Sequence, residues 1–352
     1  MAMSSNGMKR FVLLTLLAVL PVLLLLLFYV LRDPFQVVKP YDGKLRHSTD
    51  SIALTTNWGY VTVESFKHFD PSGHFDSFIF GSSLSGYYLI KDWKQYLPAS
   101  ARPFHFNASR ETLHGILNKL NWLVERGVKI NNALLVIEDE MLSRRPLDDD
   151  VLFVQHPATA PGVSGWHFHQ LYFNAYRRPV VVAYLLFPGM MADRMLEDGY
   201  ATTDIGDRNE AINESYYAWA DSLIAVNPDR FFTPRHVARY TRPTKLMPCP
   251  GKITPAVASL LWNIMNVLRN QGADYQIIIP PHYGYEAIDS RDLYEMEKIF
   301  GEQRVHDYSH DVTMGNDVRH YYDDRHLVAQ DCARLIDSAY NTVMLPSPFL
   351  QQ

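Results

Sequence analysis

The chain has 352 residues, of which 47% are hydrophobic, and a formal net charge of −5. This composition is typical of a folded globular protein, and the mild negative charge argues against a nucleic-acid partner. The residues that follow an N-terminal apolar segment are enough for one large α/β domain or two small ones. The aromatic content of 13% suits sugar or lipid surfaces without proving either.

Residues 11–31 form an apolar run without a charged side chain. A helix of this length spans about 31 Å, the thickness of the hydrocarbon core of a bilayer. Lys9 and Arg10 precede the run, which predicts that the N-terminus stays in the cytoplasm and that the rest is translocated. A cleaved signal peptide is the alternative, but the run is long and no Ala-x-Ala-like site follows it. We therefore expect an uncleaved single-pass anchor.

Short apolar runs alternate with amphipathic segments from about residue 71 onward. This alternation predicts an α/β fold in which a parallel sheet is covered by helices on both sides. Residues 33–70 are mixed and polar, and they predict a stalk that leads into a first strand or hairpin at about 52–63. The predicted strands cover 77–80, 103–107, 133–137, 275–279 and 304–308, and the predicted helices cover 111–126, 255–270, 291–300 and 327–340.

The alternation lapses between about residues 142 and 249, where prolines and aromatic residues are frequent. This region predicts an insertion of mixed helix and loop at the sheet edge. Its apolar segment from Pro179 to Met191 is too short to span a bilayer and is expected to be a buried helix. The alternative is a patch that docks on the membrane surface or on a membrane partner, with Arg177 and Arg178 near lipid headgroups. The predicted organisation is a cytoplasmic tip and anchor (1–32), a stalk (33–70) and one α/β domain (71–345) that carries the insertion (142–249).

A candidate nucleophile follows the first of the alternating strands. Phe78, Ile79 and Phe80 lead directly into Gly81-Ser82-Ser83. A short apolar run that ends in glycine predicts a buried strand leaving the sheet, with the serines near the start of a helix. The carboxyl edge of a parallel sheet is where α/β proteins bind ligands. The competing interpretation is that Ser82 or Ser83 only caps the helix, and Ser85 is an alternative nucleophile.

A candidate base lies near the C-terminus, just ahead of the last predicted helix. Asp323 and His326 are three residues apart, which in a helical turn places both side chains on one face. A carboxylate bonded to one imidazole nitrogen fixes the tautomer and leaves the other nitrogen free as a base. A serine nucleophile needs such a base because its protonated hydroxyl is weakly nucleophilic. Asp324 is the alternative acid.

The order of these two motifs resembles the SGNH (GDSL-type) hydrolase superfamily. In that family a serine follows the first strand, and a C-terminal Asp-x-x-His block supplies the acid and the base. The resemblance covers about residues 75–140 and 250–340 and implies a three-layer, flavodoxin-like sheet domain with Ser83, Asp323 and His326 as catalytic residues. The Gly-Ser-Ser form, the anchor and the insertion are most similar to the membrane-anchored DltD-like and AlgJ/AlgX-like branches.

The sequence departs from the family at the positions that usually complete the oxyanion hole. The segment after the second predicted strand has no glycine, and the segment after the third reads Glu138-Asp139-Glu140 rather than Gly-x-Asn-Asp. Asn107 is expected to donate from its side chain, beside the backbone N–H of Ser83. The alternative is that Asn107 caps a turn, and a third donor is unassigned.

The resemblance implies O-acyl transfer or acyl-ester hydrolysis on a cell-envelope polysaccharide or teichoic-acid-like polymer. It places the domain in the periplasm, on the outer face of the cytoplasmic membrane. Expected partners are the membrane, the polymer or an acyl donor, and a multi-span membrane acyltransferase. A non-catalytic, polymer-binding scaffold subunit is the alternative function.

No cofactor or metal is expected from the sequence. His310 and His320 lie near His326, but their spacing to acidic residues does not match a metal site. The two cysteines, Cys249 and Cys332, lie far apart; they are compatible with one disulfide in an oxidising compartment and do not amount to a disulfide framework.

Overall fold

The computed structural model describes seven ranges of the chain, which form two compact units. One unit comprises Met1–Thr56 and Ser164–Ile205 and is called the anchor unit after the anchor predicted within it. The other, called the sheet unit, comprises Asn57–Val163 and Gly206–Gln352. The described ranges are 5–45, 53–71, 73–198, 201–202, 207–240, 251–284 and 287–344.

All of the strands in the described ranges are short, and several of the helices are longer than any strand. The strands are β1 (Ala53–Leu54), β2 (Ser77–Gly81), β3 (Pro103–His105), β4 (Asn132–Val136), β5 (Ala201–Thr202), β6 (Asp207–Asn209), β7 (Glu214–Tyr216), β8 (Asp274–Ile279) and β9 (Val305–Asp307). The helices are α1 (Ser5–Arg32), α2 (Trp58–Phe69), α3 (Ile90–Trp93), α4 (Leu113–Glu125), α5 (Gly165–Tyr176), α6 (Pro179–Leu186), α7 (Pro188–Glu197), α8 (Ala218–Val226), α9 (Pro228–Phe231), α10 (Pro234–Val237), α11 (Pro255–Gln271), α12 (Ser290–Phe300), α13 (Val312–Asn316) and α14 (Ala329–Met344).

The sheet unit is built on five parallel strands in the spatial order β3-β2-β4-β8-β9. Numbered along the chain within this sheet, the order is 2-1-3-4-5, the arrangement of flavodoxin-like doubly wound sheets. The chain moves to one side of β2 to form β3 and then to the other side to form β4. The carboxyl end of β2 is therefore the switch point, where ligands bind in such sheets. The predicted mixed α/β fold with a parallel sheet flanked by helices is confirmed.

Alternate side chains of the central strands enter two separate hydrophobic clusters. Phe78, Phe80 and Leu135 pack with α2, α4, α11 and α12 on one face. Ile79 and Leu134 pack with α3 and α14 on the other face. Because strand side chains alternate between faces, this division covers the sheet on both sides.

Within the segment predicted as a first strand or hairpin at about 52–63, Ala53–Leu54 form the short strand β1. The residues from Trp58 onward instead form helix α2, which belongs to the sheet unit. Asn57 caps α2, since its Oδ1 accepts a hydrogen bond from the N–H of Tyr60 at 3.0 Å. Val63 and Phe66, one turn apart, are buried in the first cluster. Residues 58–69 are therefore a capped amphipathic helix packed against the sheet, and not the extended segment predicted up to residue 63.

The anchor unit contains α1 together with α5, α6 and α7. Gly7–Arg32 is long and apolar enough to cross a membrane, and no other helix in the described ranges is. Its C-terminal end packs on α5: the rings of Tyr29 and Tyr176 are 5.2 Å apart, and those of Phe35 and Tyr172 are 5.5 Å apart.

The predicted insertion does not form one body. Residues 164–205 belong to the anchor unit, whereas the described part of 206–249 belongs to the sheet unit. The apolar segment from Pro179 to Met191 forms α6 and the start of α7 rather than one buried helix. Leu186, Phe187 and Met190 are exposed, so the prediction of full burial is wrong.

Candidate active site

The turn after β2 requires glycine at position 81. A Cβ atom built on Gly81 would lie 2.8 Å from the carbonyl oxygen of Val136 in β4 and 2.7 Å from Cβ of Ser85. Real Cβ atoms do not approach so closely, and a carbonyl within a central strand has little room to move. Glycine therefore allows the chain to leave the sheet directly beside β4, and it brings the following serines to the switch point.

The serines after this glycine occupy three different environments. Ser82 is buried and caps a short 3₁₀ turn, because its Oγ accepts a hydrogen bond from the N–H of Leu84 at 3.2 Å. Ser85, the alternative nucleophile, is fully buried and donates its hydroxyl to the carbonyl oxygen of Ser82 at 2.7 Å. Ser83 is only partly buried, and its Oγ lies 3.0 Å from Nε2 of His326. Capping thus falls to Ser82, and the Ser83 hydroxyl faces the imidazole.

Asp323 and His326 lie in a sharp bend ahead of α14, not in a helical turn. The N–H of Tyr322 donates to the carbonyl oxygen of His326 at 2.8 Å and closes the bend. Oδ1 of Asp323 accepts hydrogen bonds from the backbone N–H groups of Arg325 and His326, each at 2.8 Å. Such side-chain-to-backbone bonds compete with helix formation. The bend, and not a helical turn, thus brings the two side chains within the hydrogen-bond reach expected from their spacing.

Asp323, His326 and Ser83 form one continuous series of hydrogen bonds. Oδ2 and Oδ1 of Asp323 lie 2.8 and 3.0 Å from Nδ1 of His326, and Nε2 of the same ring contacts Ser83. A carboxylate that accepts from Nδ1–H selects the tautomer in which Nε2 is free to accept a proton. The structure thus brings together all three predicted residues, although 243 positions separate Ser83 from His326. Their catalytic role remains a prediction.

Asp323 carries the negative charge that can stabilise a protonated imidazole. Burial alone would raise the pKa of Asp323, but hydrogen bonds from the imidazole and from two backbone N–H groups bring it below its ordinary value. The carboxylate therefore stays ionised at neutral pH and can stabilise the positive charge that forms when His326 accepts a proton. Both contacts to Nδ1 come from Asp323 rather than from Asp324, the alternative acid.

Tyr87 packs against the imidazole and Tyr322 packs against Tyr87, and sequence reasoning identified neither tyrosine. The ring of Tyr87 lies edge-on to that of His326 with a centroid distance of 5.6 Å, and it lies 5.0 Å from the ring of Tyr322. The hydroxyl of Tyr322 pairs with Asp221 and accepts a hydrogen bond from the N–H of Ala329 at 3.0 Å. Burial raises the pKa of Tyr322, so its phenol stays neutral. This packing limits the orientations that the His326 ring can take.

Asn107 lies beside the turn that carries Ser83. The N–H of Ala108 donates to the carbonyl oxygen of Gly81 at 3.2 Å, so the loop after β3 runs next to the end of β2. Nδ2 of Asn107 is 3.8 Å from the position that a Cβ on Gly86 would occupy. The side-chain amide therefore faces this turn, where an oxyanion donor is needed. Donation by Asn107 remains a prediction.

A buried ion pair supports the loop of Asn107. Nζ of Lys119 lies 2.6 Å from Oε2 of Glu111 and donates to the carbonyl oxygens of Phe106 and Asn107 at 3.3 and 3.1 Å. Both charged side chains are buried, and burial of charge is tolerated only when it is paired in this way. The sequence signal for this pair is a lysine among the inward-facing apolar positions of α4, next to Leu120.

The carboxylates that follow β4 belong to an ion-pair network. Arg144 contacts Glu138 at 2.5 Å and Glu140 at 2.9 Å, and Arg325 contacts Glu140 at 3.3 Å. Partial burial would raise the pKa of Glu140, but Arg325 and Arg144 bring it below its ordinary value. The network thus joins the loop after β4 to the bend of Asp323 through Arg325. The third oxyanion donor, which the family usually supplies from the segment after this strand, therefore stays unassigned.

An arginine-rich groove adjoins the bend that carries the imidazole. It has a volume of about 410 Å³ and is lined by Trp219, Arg230, Arg235 and Arg239 among others. Its wall contacts the bend, because Nε2 of His236 lies 2.9 Å from the carbonyl oxygen of Tyr322. The sequence signal, three arginines within the ten positions 230–239 and no acidic residue among them, was not recognised.

Neither neighbouring histidine contacts the candidate serine. Nδ1 of His310 lies 2.7 Å from Asp307, and Nδ1 of His320 lies 2.8 Å from Asp331. Among the described residues, no cluster of three or more His, Cys, Asp or Glu side chains is arranged to hold a metal ion. Cys332 is free and fully buried, and burial raises the pKa of its thiol. Cys249, its predicted potential partner, lies outside the described residues.

Comparison with known proteins does not assign the chain to a family. No family model matches the sequence, and no curated protein matches it significantly.

Proposed function

We propose that the chain is a membrane-anchored, extracytoplasmic O-acyltransferase or acylesterase with an SGNH-like domain. The observation that carries the proposal is the 3.0 Å contact between Oγ of Ser83 and Nε2 of His326, with Asp323 on the other ring nitrogen. The position of Ser83 at the switch point of a flavodoxin-like sheet supports the SGNH resemblance. The apolar helix α1 supports an anchor in the cytoplasmic membrane with the sheet unit in the periplasm.

The first half of the proposed reaction forms an acyl-enzyme. Oγ of Ser83 attacks the carbonyl carbon of an acyl ester or thioester while Nε2 of His326 takes the hydroxyl proton. Negative charge then develops on the former carbonyl oxygen, facing the N–H of Ser83 and the side-chain amide of Asn107. Collapse of this intermediate breaks the bond to the alcohol or thiol, which leaves with the proton from His326.

The second half returns the enzyme to its resting state. His326 takes a proton from a sugar hydroxyl or from water, and the resulting oxygen nucleophile attacks the acyl-Ser83 carbonyl. When the bond to Ser83 breaks, its oxygen recovers the proton from His326. The acceptor thus decides between transfer and hydrolysis.

The groove beside the bend supports a polymer as the acceptor. Trp219 is 61% exposed there, and an exposed indole offers a flat apolar face on which a sugar ring can pack. Arg230, Arg235 and Arg239 favour carboxylate or phosphate groups on the same polymer. We therefore propose a cell-envelope polysaccharide or teichoic-acid-like polymer as the substrate.

The test is hydrolysis of a small acetyl ester by the full-length chain in detergent. Ser83→Ala and His326→Ala should each lower kcat by about 10³-fold or more. Ser143→Ala and His310→Ala, which alter an exposed serine and an exposed histidine elsewhere, should retain full activity. Equal activity in all four variants would rule out the mechanism.

The second candidate is a non-catalytic, polymer-binding scaffold that partners a multi-span membrane acyltransferase. It is favoured by the missing glycine block and by Glu138-Asp139-Glu140 where Gly-x-Asn-Asp is usual. A fluorophosphonate probe followed by peptide mapping separates the two functions. Modification of Ser83 supports the enzyme, whereas an unmodified chain that binds polymer supports the scaffold.

A further inference from the structure

The C-terminal end of α1 is held against the apolar segment of the anchor unit. The ring of Tyr176, at the end of α5, lies 6.1 Å from that of Phe28 and 5.2 Å from that of Tyr29. The guanidinium of Arg32 donates to the carbonyl oxygen of Leu185 in α6 at 3.3 Å. Residues 28–32 are the last turn of α1, so this contact is at the level where the apolar run ends.

The side chains at this level are arranged as those of a membrane interface. Val181 and Tyr184 of α6 are buried within the anchor unit, whereas Leu186, Phe187 and Met190 are 55%, 59% and 77% exposed. We call these three exposed residues the apolar tip. Three large apolar side chains this close together on a surface favour contact with a non-aqueous phase.

Two basic residues lie at the N-terminal end of α6, and the apolar tip lies at its C-terminal end. Arg177 and Arg178 are both exposed and connect α5 to α6. Cationic side chains next to exposed apolar ones are the pattern of segments that lie in a bilayer interface, with the charges at the lipid phosphates. Because α5 and α6 pack on the end of α1, a bilayer that surrounds α1 meets the apolar tip at headgroup depth.

We propose that the apolar tip inserts into the outer leaflet of the bilayer that α1 spans, and that Arg177 and Arg178 bind lipid phosphate groups. The anchor unit is then held at two points, by α1 and by the α6–α7 junction, and it does not pivot freely on a single helix. This inference depends on the proposed uncleaved anchor but not on the proposed chemistry of Ser83.

Depth-dependent quenching in protein-free vesicles tests the proposal on the full-length chain. The parent is Cys249→Ser, in which the remaining Cys332 is fully buried. An environment-sensitive NBD label is placed at Phe187→Cys or Met190→Cys, at Glu197→Cys as an exposed polar control on α7, and at Leu20→Cys within α1. The vesicles contain phosphatidylcholine and phosphatidylglycerol with nitroxide-labelled lipids.

We expect blue-shifted emission and quenching by shallow nitroxides at positions 187 and 190, quenching by deep nitroxides at position 20, and neither effect at 197. Labels at 187 and 190 that behave like the one at 197 while position 20 is quenched would overturn the proposal. An unquenched label at position 20 would overturn the anchor and this inference with it. Shielding of the tip in native membranes but not in protein-free vesicles would assign the surface to a protein partner and would also overturn it.

The basic residues have a separate test. Adding phosphatidylglycerol to phosphatidylcholine vesicles should increase quenching at Met190→Cys, and the Arg177→Gln/Arg178→Gln double variant should lose most of this increase. Arg194→Gln, an exposed arginine on α7, is the matched control and should retain it. An equal response of all three proteins to anionic lipid would contradict phosphate binding by Arg177 and Arg178.

Discussion

The carboxylate of Asp323 holds both the bend and the imidazole, and a single substitution separates these roles. Asparagine at this position keeps an oxygen for the N–H groups of Arg325 and His326, but its amide favours the wrong imidazole tautomer. Asp323→Asn should therefore lower kcat for ester hydrolysis by about 10²-fold to 10⁴-fold while the chain stays folded. Asp324→Asn is the matched control and should retain near-normal activity. Equal losses in the two variants would show that His326 is not oriented through Asp323.

At the scale of the element, the exit of β2 depends on close contact between neighbouring strands. A methyl group at Gly81→Ala meets the carbonyl oxygen of Val136, so the turn has to shift away from β4. We expect a loss of about 1–3 kcal/mol in the free energy of unfolding and about 10²-fold in kcat. Gly162→Ala is the control, since its Cβ would have no atom within 4 Å. Denaturant unfolding and ester hydrolysis measure the two effects, and a Gly81→Ala enzyme with normal kcat would contradict the strand-exit argument.

The groove formed by α8–α10 is also a feature at the scale of the element. Its proposed role in polymer binding can be tested separately from the chemistry at Ser83. Arg235→Gln and Trp219→Ala should each raise KM for a polymeric acceptor by about tenfold. Hydrolysis of a small acetyl ester should not change, since such a substrate does not reach the groove. Parallel kinetics with the two substrates measure this difference. Equal effects on both would show that the groove only stabilises the bend at Tyr322.

Over the whole sheet unit, stability in acid depends on a carboxylate of α2 that is hydrogen-bonded to a histidine in a distant loop. Oε1 of Glu64 lies 2.9 Å from Nε2 of His156 and 2.5 Å from Nζ of Lys67. Burial would raise the pKa of Glu64, but these partners outweigh it and lower the pKa from 4.5 to about 2. A lowered carboxyl pKa stabilises the fold above about pH 4.5, and this contribution is lost as the pH falls toward about 2.

The corresponding prediction uses the free energy of unfolding measured in denaturant at several pH values. Between about pH 4.5 and pH 2 the native chain should lose on the order of 1–2 kcal/mol more than Glu64→Gln does, once solvent screening is allowed for. Glu295→Gln, which removes one side of an exposed pair with Lys298, is the control and should follow the native chain. Parallel curves for all proteins would show that Glu64 is not stabilised by its partners.

The pattern of apolar residues along the chain predicted most of the sheet unit. It failed where a side chain forms hydrogen bonds with the nearby backbone. The five parallel strands and the helices between them follow from apolar runs and amphipathic spacing, which are properties of neighbouring residues. The first half of α2 was predicted as extended because its residues are mostly aromatic and β-branched types that favour strands. Asn57 was not recognised as a cap. The spacing of Asp323 and His326 predicted that their side chains lie close together. It did not predict the bend, because the hydrogen bonds from the Asp323 carboxylate to the backbone are not visible in the spacing alone.

The sequence by itself determined that residues 11–31 form an apolar helix, that a glycine and serines end the first strand, and that Asp323 and His326 lie close together. Only the tertiary structure decided which serine meets the imidazole, that Tyr87 packs against this ring, and that the apolar tip lies near the end of α1. The physical reason is that the first set depends on residues a few positions apart. The second depends on strand order and side-chain packing between segments as much as 243 positions apart.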